Sequence, residues 1–168
     1  MKPRNPRRSG PAGMVQGPGM RFADPAGVAA RMKAALFMHQ QGQLDLAASA
    51  YREILQAQPR HFDALQLMAT IEAQRGNSES ALELFDRALK LRPDHAASHN
   101  NRGNALRHLK RLEEALQSYE RACALKSDYV DALNNRGVAL RELKRCAEAV
   151  ASYERALQVE PNHAGVLF

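Results

Sequence analysis

The sequence predicts an all-α protein, a solenoid of helix hairpins, and three observations carry the prediction. First, the block that begins at Asn100 recurs at Asn134, with 18 identities over 34 aligned residues. Second, an aromatic residue and an alanine recur at the same 34-residue spacing in four copies. Third, small and apolar residues recur at helical spacing twice within each copy, with a break between the two runs. The aromatic positions are Tyr51, Phe85, Tyr119 and Tyr153, and the alanine positions are Ala47, Ala81, Ala115 and Ala149.

Each copy is therefore predicted to be a pair of helices joined by a short turn. Asp24 and Pro25 form a good start for the first helix. The Asp24 carboxylate can accept hydrogen bonds from the free backbone N–H groups of the first turn, and Pro25 stands where the helix does not require a backbone N–H. Gly42 permits a tight or left-handed turn between the two helices of the first hairpin. Ser78 is the predicted cap of the second helix in the second copy. The predicted helices of the first copy cover 26–41 and 45–58, and the next three hairpins cover 62–91, 96–125 and 130–159.

The close contact within each hairpin is predicted at the small residues. Gly103 with Ala115, and Gly137 with Ala149, mark places where two helices could approach backbone to backbone, with the aromatic residue filling the space beside them. A proline closes three of the copies, at Pro59, Pro93 and Pro161.

At these residues the chain resembles the tetratricopeptide repeat family, whose unit carries the small residue, aromatic, alanine and proline in this order. The resemblance implies a right-handed α-solenoid with repeats at 26–61, 62–95, 96–129 and 130–163, and a fifth repeat or cap begun at 164–168. The chain departs from the family pattern at four places, which concern local turns rather than the fold. They are Ile54 in place of alanine, Ser127 in place of proline, and Lys110 and Lys144 where Gly42 and Gly76 turn the chain.

Charge is concentrated before the repeats. The formal net charge is +6, of which residues 1–27 contribute +4 and the repeats only +2. Residues 1–23 are rich in Pro, Gly and Arg without a hydrophobic period, and they are predicted to be a disordered basic segment. The repeats show no basic stripe, so nucleic acid is not the expected partner. If the N-terminal arginines did bind nucleic acid, deletion of residues 1–23 would abolish salt-sensitive binding.

Several other classes of protein are disfavoured. No apolar run approaches the ~20 residues that span a bilayer, so no membrane span is expected. Cys123 and Cys146 stand at unmatched places in the repeat, which argues against a disulfide framework and favours a reducing, cytoplasmic setting.

No catalytic, metal or cofactor constellation is predicted. His61, His95 and His163 occupy equivalent turns, one solenoid step apart, which is too far for ligands sharing a zinc bond of ~2.0–2.1 Å. The chain also has no Gly-rich phosphate loop. Enzymatic activity within these residues is therefore not expected.

The expected functional surface is the inner face, which the first helix of each hairpin lines in this family. Asparagine is a poor residue for a helix interior, so its recurrence there suggests use. A carboxamide can bond both the N–H and the C=O of an extended peptide, and Asn101 and Asn135 would form rungs of a ladder one period apart. The alternative is that the asparagines bond neighbouring helices and hold the superhelix. The candidate peptide-binding residues are Asn100, Asn101, Asn104, Asn134, Asn135, Asp63 and Asp131.

The wording of the repeats, NNRG-x-AL and EA-x-x-SYERAL, is similar to the arrays that precede the catalytic region in bacterial proteins resembling O-linked N-acetylglucosamine transferases. By this resemblance the chain is a substrate-recruiting module that binds a protein or extended peptide. The alternative is a free-standing scaffold or adaptor in envelope assembly, secretion or signalling. A co-chaperone clamp for a C-terminal carboxylate is disfavoured, because Asp63 and Asp131 stand where it needs cations. The C-terminal end of the array is expected to be covered by further chain, by a partner or by a second copy in a homo-oligomer.

Overall fold

The computed structural model describes residues 25–162, which form eight helices and no strand within that range. The predicted disordered segment at 1–23 and the predicted fifth repeat at 164–168 lie outside the described residues. The helices are α1 (Pro25–Gln40), α2 (Leu44–Ala57), α3 (Phe62–Gln74), α4 (Ser78–Leu91), α5 (Ala96–His108), α6 (Leu112–Leu125), α7 (Val130–Glu142) and α8 (Cys146–Val159).

The helix bounds follow the 34-residue period. The second, third and fourth hairpins begin and end where the sequence predicts, and both helices of the first begin one residue earlier than predicted. The predicted cap at Ser78 is wrong. Asn77 holds the N-cap position of α4 without a side-chain cap hydrogen bond, and Ser78 is the first residue of the helix, where it is buried.

The turn within every hairpin has the same left-handed geometry. Gly42 and Gly76 have φ angles of +73° and +81°, and Lys110 and Lys144 have φ angles of 60° and 61°. The lysine departures therefore leave the turn unchanged and place an L-residue where glycine is favoured.

The core is a row of aromatic residues, one in each hairpin. Tyr51, Phe85 and Tyr119 are fully buried, and Tyr153 is 4% exposed. The predicted place of the aromatic ring beside the glycine is confirmed, because a methyl group on Gly103 would lie 2.5 Å from Cε1 of Tyr119. The tyrosine ring therefore needs the space that the glycine leaves.

The hairpins stack in sequence, each second helix packing against the first helix of the next hairpin. In addition α3 contacts α5, and α5 contacts α7, whereas the second helices are not in comparable contact with one another. The first helices therefore lie closer together, on the inner side of a curved stack. The architecture is the all-α solenoid that the sequence predicts, with nearest-neighbour packing along its length.

Candidate functional site

The inner face carries a groove, in which a cavity of about 350 Å³ opens between α3, α5 and α7. Its walls carry three of the predicted site residues, Asn101, Asn104 and Asn135. The complete lining is Thr70, Ala73, Gln74, Phe85, Asn101, Asn104, Ala105, Arg107, His108 and Asn135.

Three asparagines are joined in a chain of hydrogen bonds across two repeats. Nδ2 of Asn135 donates to Oδ1 of Asn100 at 3.0 Å, and Nδ2 of Asn100 donates to Oδ1 of Asn101 at 3.3 Å. Asn100 is only 4% exposed and lies below the groove. The network bonds α5 to α7, as the structural alternative for these asparagines requires, and it orients the carboxamides of Asn101 and Asn135.

This network leaves complementary groups on the groove wall. Within residues 25–162 the network uses Oδ1 of Asn101 and Nδ2 of Asn135, which leaves the N–H donors of Asn101 and the carbonyl oxygen of Asn135 for a ligand. A main chain presents one donor and one acceptor per residue, so the pair matches the hydrogen-bonding pattern of an extended polypeptide.

Asn104 contacts both the core and the groove. Its Oδ1 accepts from the hydroxyl of Tyr119 at 2.8 Å, while its residue surface lines the cavity. Burial raises the pKa of Tyr119 to about 12, so the phenol remains a donor at neutral pH. Val138 occupies the same place in the fourth repeat, so this bond has no counterpart there.

The other predicted site residues lie away from this cavity. Asp63 forms an ion pair with Arg92 at 3.6 Å, and the same guanidinium lies 4.1 Å above the ring of Phe62. Asp131 is exposed near the start of α7. Asn134 is half-buried, and its Oδ1 has no hydrogen-bond partner within residues 25–162.

Sequence reasoning missed an ion pair at the edge of the groove. Arg107 donates to Glu142 at 3.0 Å across the third and fourth repeats, and Lys110 approaches the same carboxylate at 3.5 Å. Burial opposes the ionisation of Glu142, but the hydrogen bond from Arg107 and the charge of Lys110 outweigh it and lower the pKa of Glu142. The ionised carboxylate of Glu142 thus balances the positive charge of Arg107 at this edge of the groove.

The remaining groove residues follow the period and could have been found from it. Thr70 stands 34 residues before Asn104, and Gln74 stands 34 residues before His108. Reading the groove positions backwards from the asparagines would have placed both on the wall.

The two arginines that precede the packing glycines, Arg102 and Arg136, form contacts between helices. Nε of Arg102 lies 2.6 Å from Asp86, and Nη1 donates to the hydroxyl of Ser118 at 2.7 Å. One period later, Arg136 lies 3.7 Å from Glu120 and 3.3 Å from the hydroxyl of Ser152. Each arginine therefore connects its own hairpin to the preceding one.

The histidines at the equivalent turns are helix caps. Nδ1 of His61 accepts from the backbone N–H of Ala64, and Nδ1 of His95 accepts from that of Ser98, both at 3.2 Å. His163 lies outside the described residues. Within residues 25–162 no three histidine, cysteine or acidic side chains come together in a way that could hold a metal ion. None of the helices in that range is both long and apolar enough to cross a bilayer.

Fold and groove together define a repeat solenoid with a polar inner surface, and comparison with known proteins gives its family. Models of the tetratricopeptide repeat match residues 21–62 and 67–130, and a second such model matches residues 130–163. The chain therefore belongs to the tetratricopeptide repeat family.

Individual relatives agree with this assignment. Tetratricopeptide repeat protein 36 of Mus musculus is 44% identical over 52 residues, which are 31% of this chain and 28% of that protein. The chain thus matches less than a third of that relative's length. The solved structure of MamA superposes with a TM-score of 0.77 at 22% identity, covering 83% of this chain and 76% of that chain. YrrB, described as a tetratricopeptide repeat protein with an unusual peptide-binding site, has a TM-score of 0.76 at 20% identity, covering 85% and 74%.

Proposed function

We propose that the chain is a non-catalytic interaction module whose groove binds an extended polypeptide of a partner protein. The carrying observation is the placement of Asn101 and Asn135 on one cavity wall, oriented from below by the buried Asn100. A peptide-binding site in the structurally similar YrrB supports the proposal by analogy of fold.

The main chain of the ligand is the part that this groove recognises. The donors of Asn101 pair with a backbone C=O of an extended strand, and the acceptor of Asn135 pairs with a backbone N–H of the same strand. Because these bonds are made to the backbone, they hold ligands of varied sequence. Each contributes about 0.5–1.5 kcal/mol when formed between neutral groups.

Side-chain preference arises from the floor and the edge of the cavity. Ala73 is half-buried beside the cavity and offers apolar surface, with Phe85 and Ala105 buried beneath it, which favours a small apolar ligand side chain. Arg107 is already paired with Glu142, so the groove offers no unpaired carboxylate clamp at this point. The preferred ligand is an uncharged, extended segment.

The proposal is tested by selecting peptides from a random displayed library and measuring their affinity for the variant Asn101→Leu, Asn135→Leu. Leucine is compatible with the fold, because Leu67 occupies the same place in the second repeat. We expect at least a tenfold loss of affinity, which corresponds to about 1.4 kcal/mol. The matched control is Gln117→Leu, an exposed amide on α6, and it should bind as the wild type does.

Two outcomes separate the groove proposal from a purely structural function for the asparagines. Loss of affinity with an unchanged melting temperature supports ligand contact. Unchanged affinity in the double variant contradicts the proposal, whatever happens to stability.

The cellular setting has two candidates. By resemblance, Asn101 and Asn135 match the asparagine ladder of O-linked N-acetylglucosamine transferase-like proteins, in which the array recruits the acceptor polypeptide. The alternative is a free-standing scaffold. An immunoblot of the source cells with an antibody against residues 26–168 distinguishes them, because a transferase-like protein would run far above 18.6 kDa.

A reducing compartment suits both candidates. Cys123 and Cys146 are free thiols, the former half-buried and the latter exposed. We therefore propose a cytoplasmic location, which fractionation of the source cells with a compartment marker would test.

A further inference from the structure

Inside the solenoid, each hairpin packs against the next through the same positions of the repeat. Ala48, Leu82 and Leu116 stand at one place in three successive second helices and are at most 7% exposed. The following first helices contribute Ile71, Ala105 and Ala139 at one shared place, and these are at most 1% exposed. Ile71 lies in one core cluster with Tyr51, and Ala105 and Ala139 lie in another with Phe85 and Tyr119.

Within residues 25–162 the outward face of the fourth hairpin has the same surface without that cover. Val150 continues the series of Leu82 and Leu116 but is 45% exposed, against 7% and 5% for those leucines. A cavity of about 160 Å³ opens beside it, lined by Arg141, Cys146, Ala149, Val150 and Tyr153. We call these five residues the α8 face.

The outward face of α1 is the complementary half of such a junction. Phe37 continues the series of Ile71, Ala105 and Ala139 but is 62% exposed. Ala34 and Ala30, one and two turns earlier, are also exposed. We call Ala30, Ala34 and Phe37 the α1 face.

We propose that copies of the chain associate head to tail, with the α1 face of one copy packed on the α8 face of the next. Phe37 would enter the cavity beside Val150 and Tyr153, as Ala139 packs with Tyr119 inside the chain. The contact joins two different surfaces, so it is heterologous and can continue from copy to copy. This association uses the ends of the solenoid and does not depend on the groove.

The first internal junction shows that such a contact needs no ion pair. Between α2 and α3, Arg52 and Met68 stand where later repeats have an acid and an arginine, and Met68 is buried in a purely apolar cluster. Ala34 is the residue of α1 at the place of Met68, so the α1 face is likewise apolar. Glu154 of α8 stands at the place of Asp86 and Glu120, and Ala34 offers it no arginine, so a second copy supplies the apolar contact of the internal junctions without their ion pair.

Light scattering coupled to size exclusion tests the proposal with the full chain. The wild type should exceed 18.6 kDa, with a mass that rises with concentration. Phe37→Glu and Val150→Glu should each be monomeric, because the apolar contact between the two faces is lost and a charged side chain would have to be desolvated on association. Mixed in equal amounts, the two variants should form a 1:1 dimer, since each retains the face that the other lacks. The matched control is Leu46→Glu, which replaces a leucine that is 55% exposed on α2, and it should associate as the wild type does.

Four results would overturn the proposal. A wild type that is monomeric at every concentration excludes association. Self-association of Phe37→Glu alone indicates a symmetric contact between two α8 faces. A mixture that remains monomeric, while each variant keeps the helical circular dichroism of the wild type, excludes the head-to-tail geometry. Association gained only when the chain is ended at Asn162 identifies its own last residues as the cover.

Discussion

Lysine occupies the left-handed turn position of the third and fourth hairpins, where the first two hairpins have glycine. Lys110 and Lys144 have φ angles of 60° and 61° in turns that match those at Gly42 and Gly76. A left-handed conformation costs an L-residue roughly 1–2 kcal/mol, whereas glycine adopts it freely but loses more backbone entropy on folding. For a lysine-to-glycine change, relief of backbone strain and loss of backbone entropy therefore oppose each other, and the relief of strain has the larger effect on the free energy of unfolding.

Lys144→Gly should therefore raise the free energy of unfolding by about 0.5–1 kcal/mol. The measurement is urea denaturation at neutral pH. Lys144→Ala removes the same charge but keeps the strained conformation, so it should give no gain. Equal stabilisation by alanine and glycine would mean that charge, not backbone strain, is the cause.

The packing glycines are constrained by contact rather than by dihedral angle. Gly103→Ala should lower the free energy of unfolding by about 1–3 kcal/mol, because the added methyl group overlaps the ring of Tyr119. Thermal or urea denaturation would measure the loss. Gly27→Ala provides the control, since Gly27 is exposed in α1 and alanine favours helix. A Gly103→Ala protein as stable as the wild type would contradict the packing described for the third hairpin.

At the scale of the elements, each pair of hairpins is joined by apolar packing, to which the later repeats add a polar link. Arg102 links Asp86 of α4 to Ser118 of α6, and Arg136 repeats the arrangement with Glu120 and Ser152. The acids are partly exposed, so solvent screens much of the attraction. We therefore expect the contacts of Arg102 and Arg136 to add little to the free energy of unfolding and to act mainly in aligning one hairpin on the next.

A double-mutant cycle with Arg102→Met and Asp86→Asn should give a coupling energy of about 0.5–1 kcal/mol, since the pair is half-exposed and has good geometry. Methionine is tolerated at this place, as Met68 shows in the second repeat. Urea denaturation of the four proteins provides the measurement. The comparison pair, Arg145 and Glu148, lies at the start of one helix and should show a similar coupling without linking hairpins. Additive effects at Arg102 and Asp86 would show that their contact adds nothing.

At the scale of the whole molecule, the period predicts the fold and nearly every helix end, because the recurring glycine, alanine and aromatic residues are all packing residues. The groove is less predictable. Asn100 and Asn101 are consecutive, and the curvature of the stack decides which of them faces the groove and which is buried. The sequence places Asp63 on the inner face but does not reveal its partner Arg92, which only the folded hairpin brings near.

Two half-buried histidines make the stability of the whole chain depend on pH. Burial lowers the pKa of His39, and burial together with neighbouring positive charges lowers that of His99, whose hydrogen bond with the carbonyl of Pro93 partly opposes the shift. The unfolded chain therefore binds protons more readily than the folded one. The free energy of unfolding should therefore be unaffected by these histidines above the unfolded pKa of about 6.5, and it should decrease as the pH drops through and below that value.

The melting temperature should thus be lower in mildly acidic buffer than at neutral pH, and His99→Leu should reduce the difference. Leucine suits this place, because Leu65 and Leu133 occupy it in the second and fourth repeats. The control is His108→Gln at an exposed position, which should retain the wild-type dependence. A pH profile that His99→Leu leaves unchanged would assign the dependence to other groups.

The central claim is that the inner carboxamides contact a bound main chain, and side-chain amide NMR tests it most directly. In a titration of the ¹⁵N-labelled chain with a library-selected peptide, the side-chain NH₂ signals of Asn101 and Asn135 should shift, while that of Gln117 on the outer side should not. Shifts confined to residues of the second helices, with the two asparagine signals unmoved at saturation, would contradict the account.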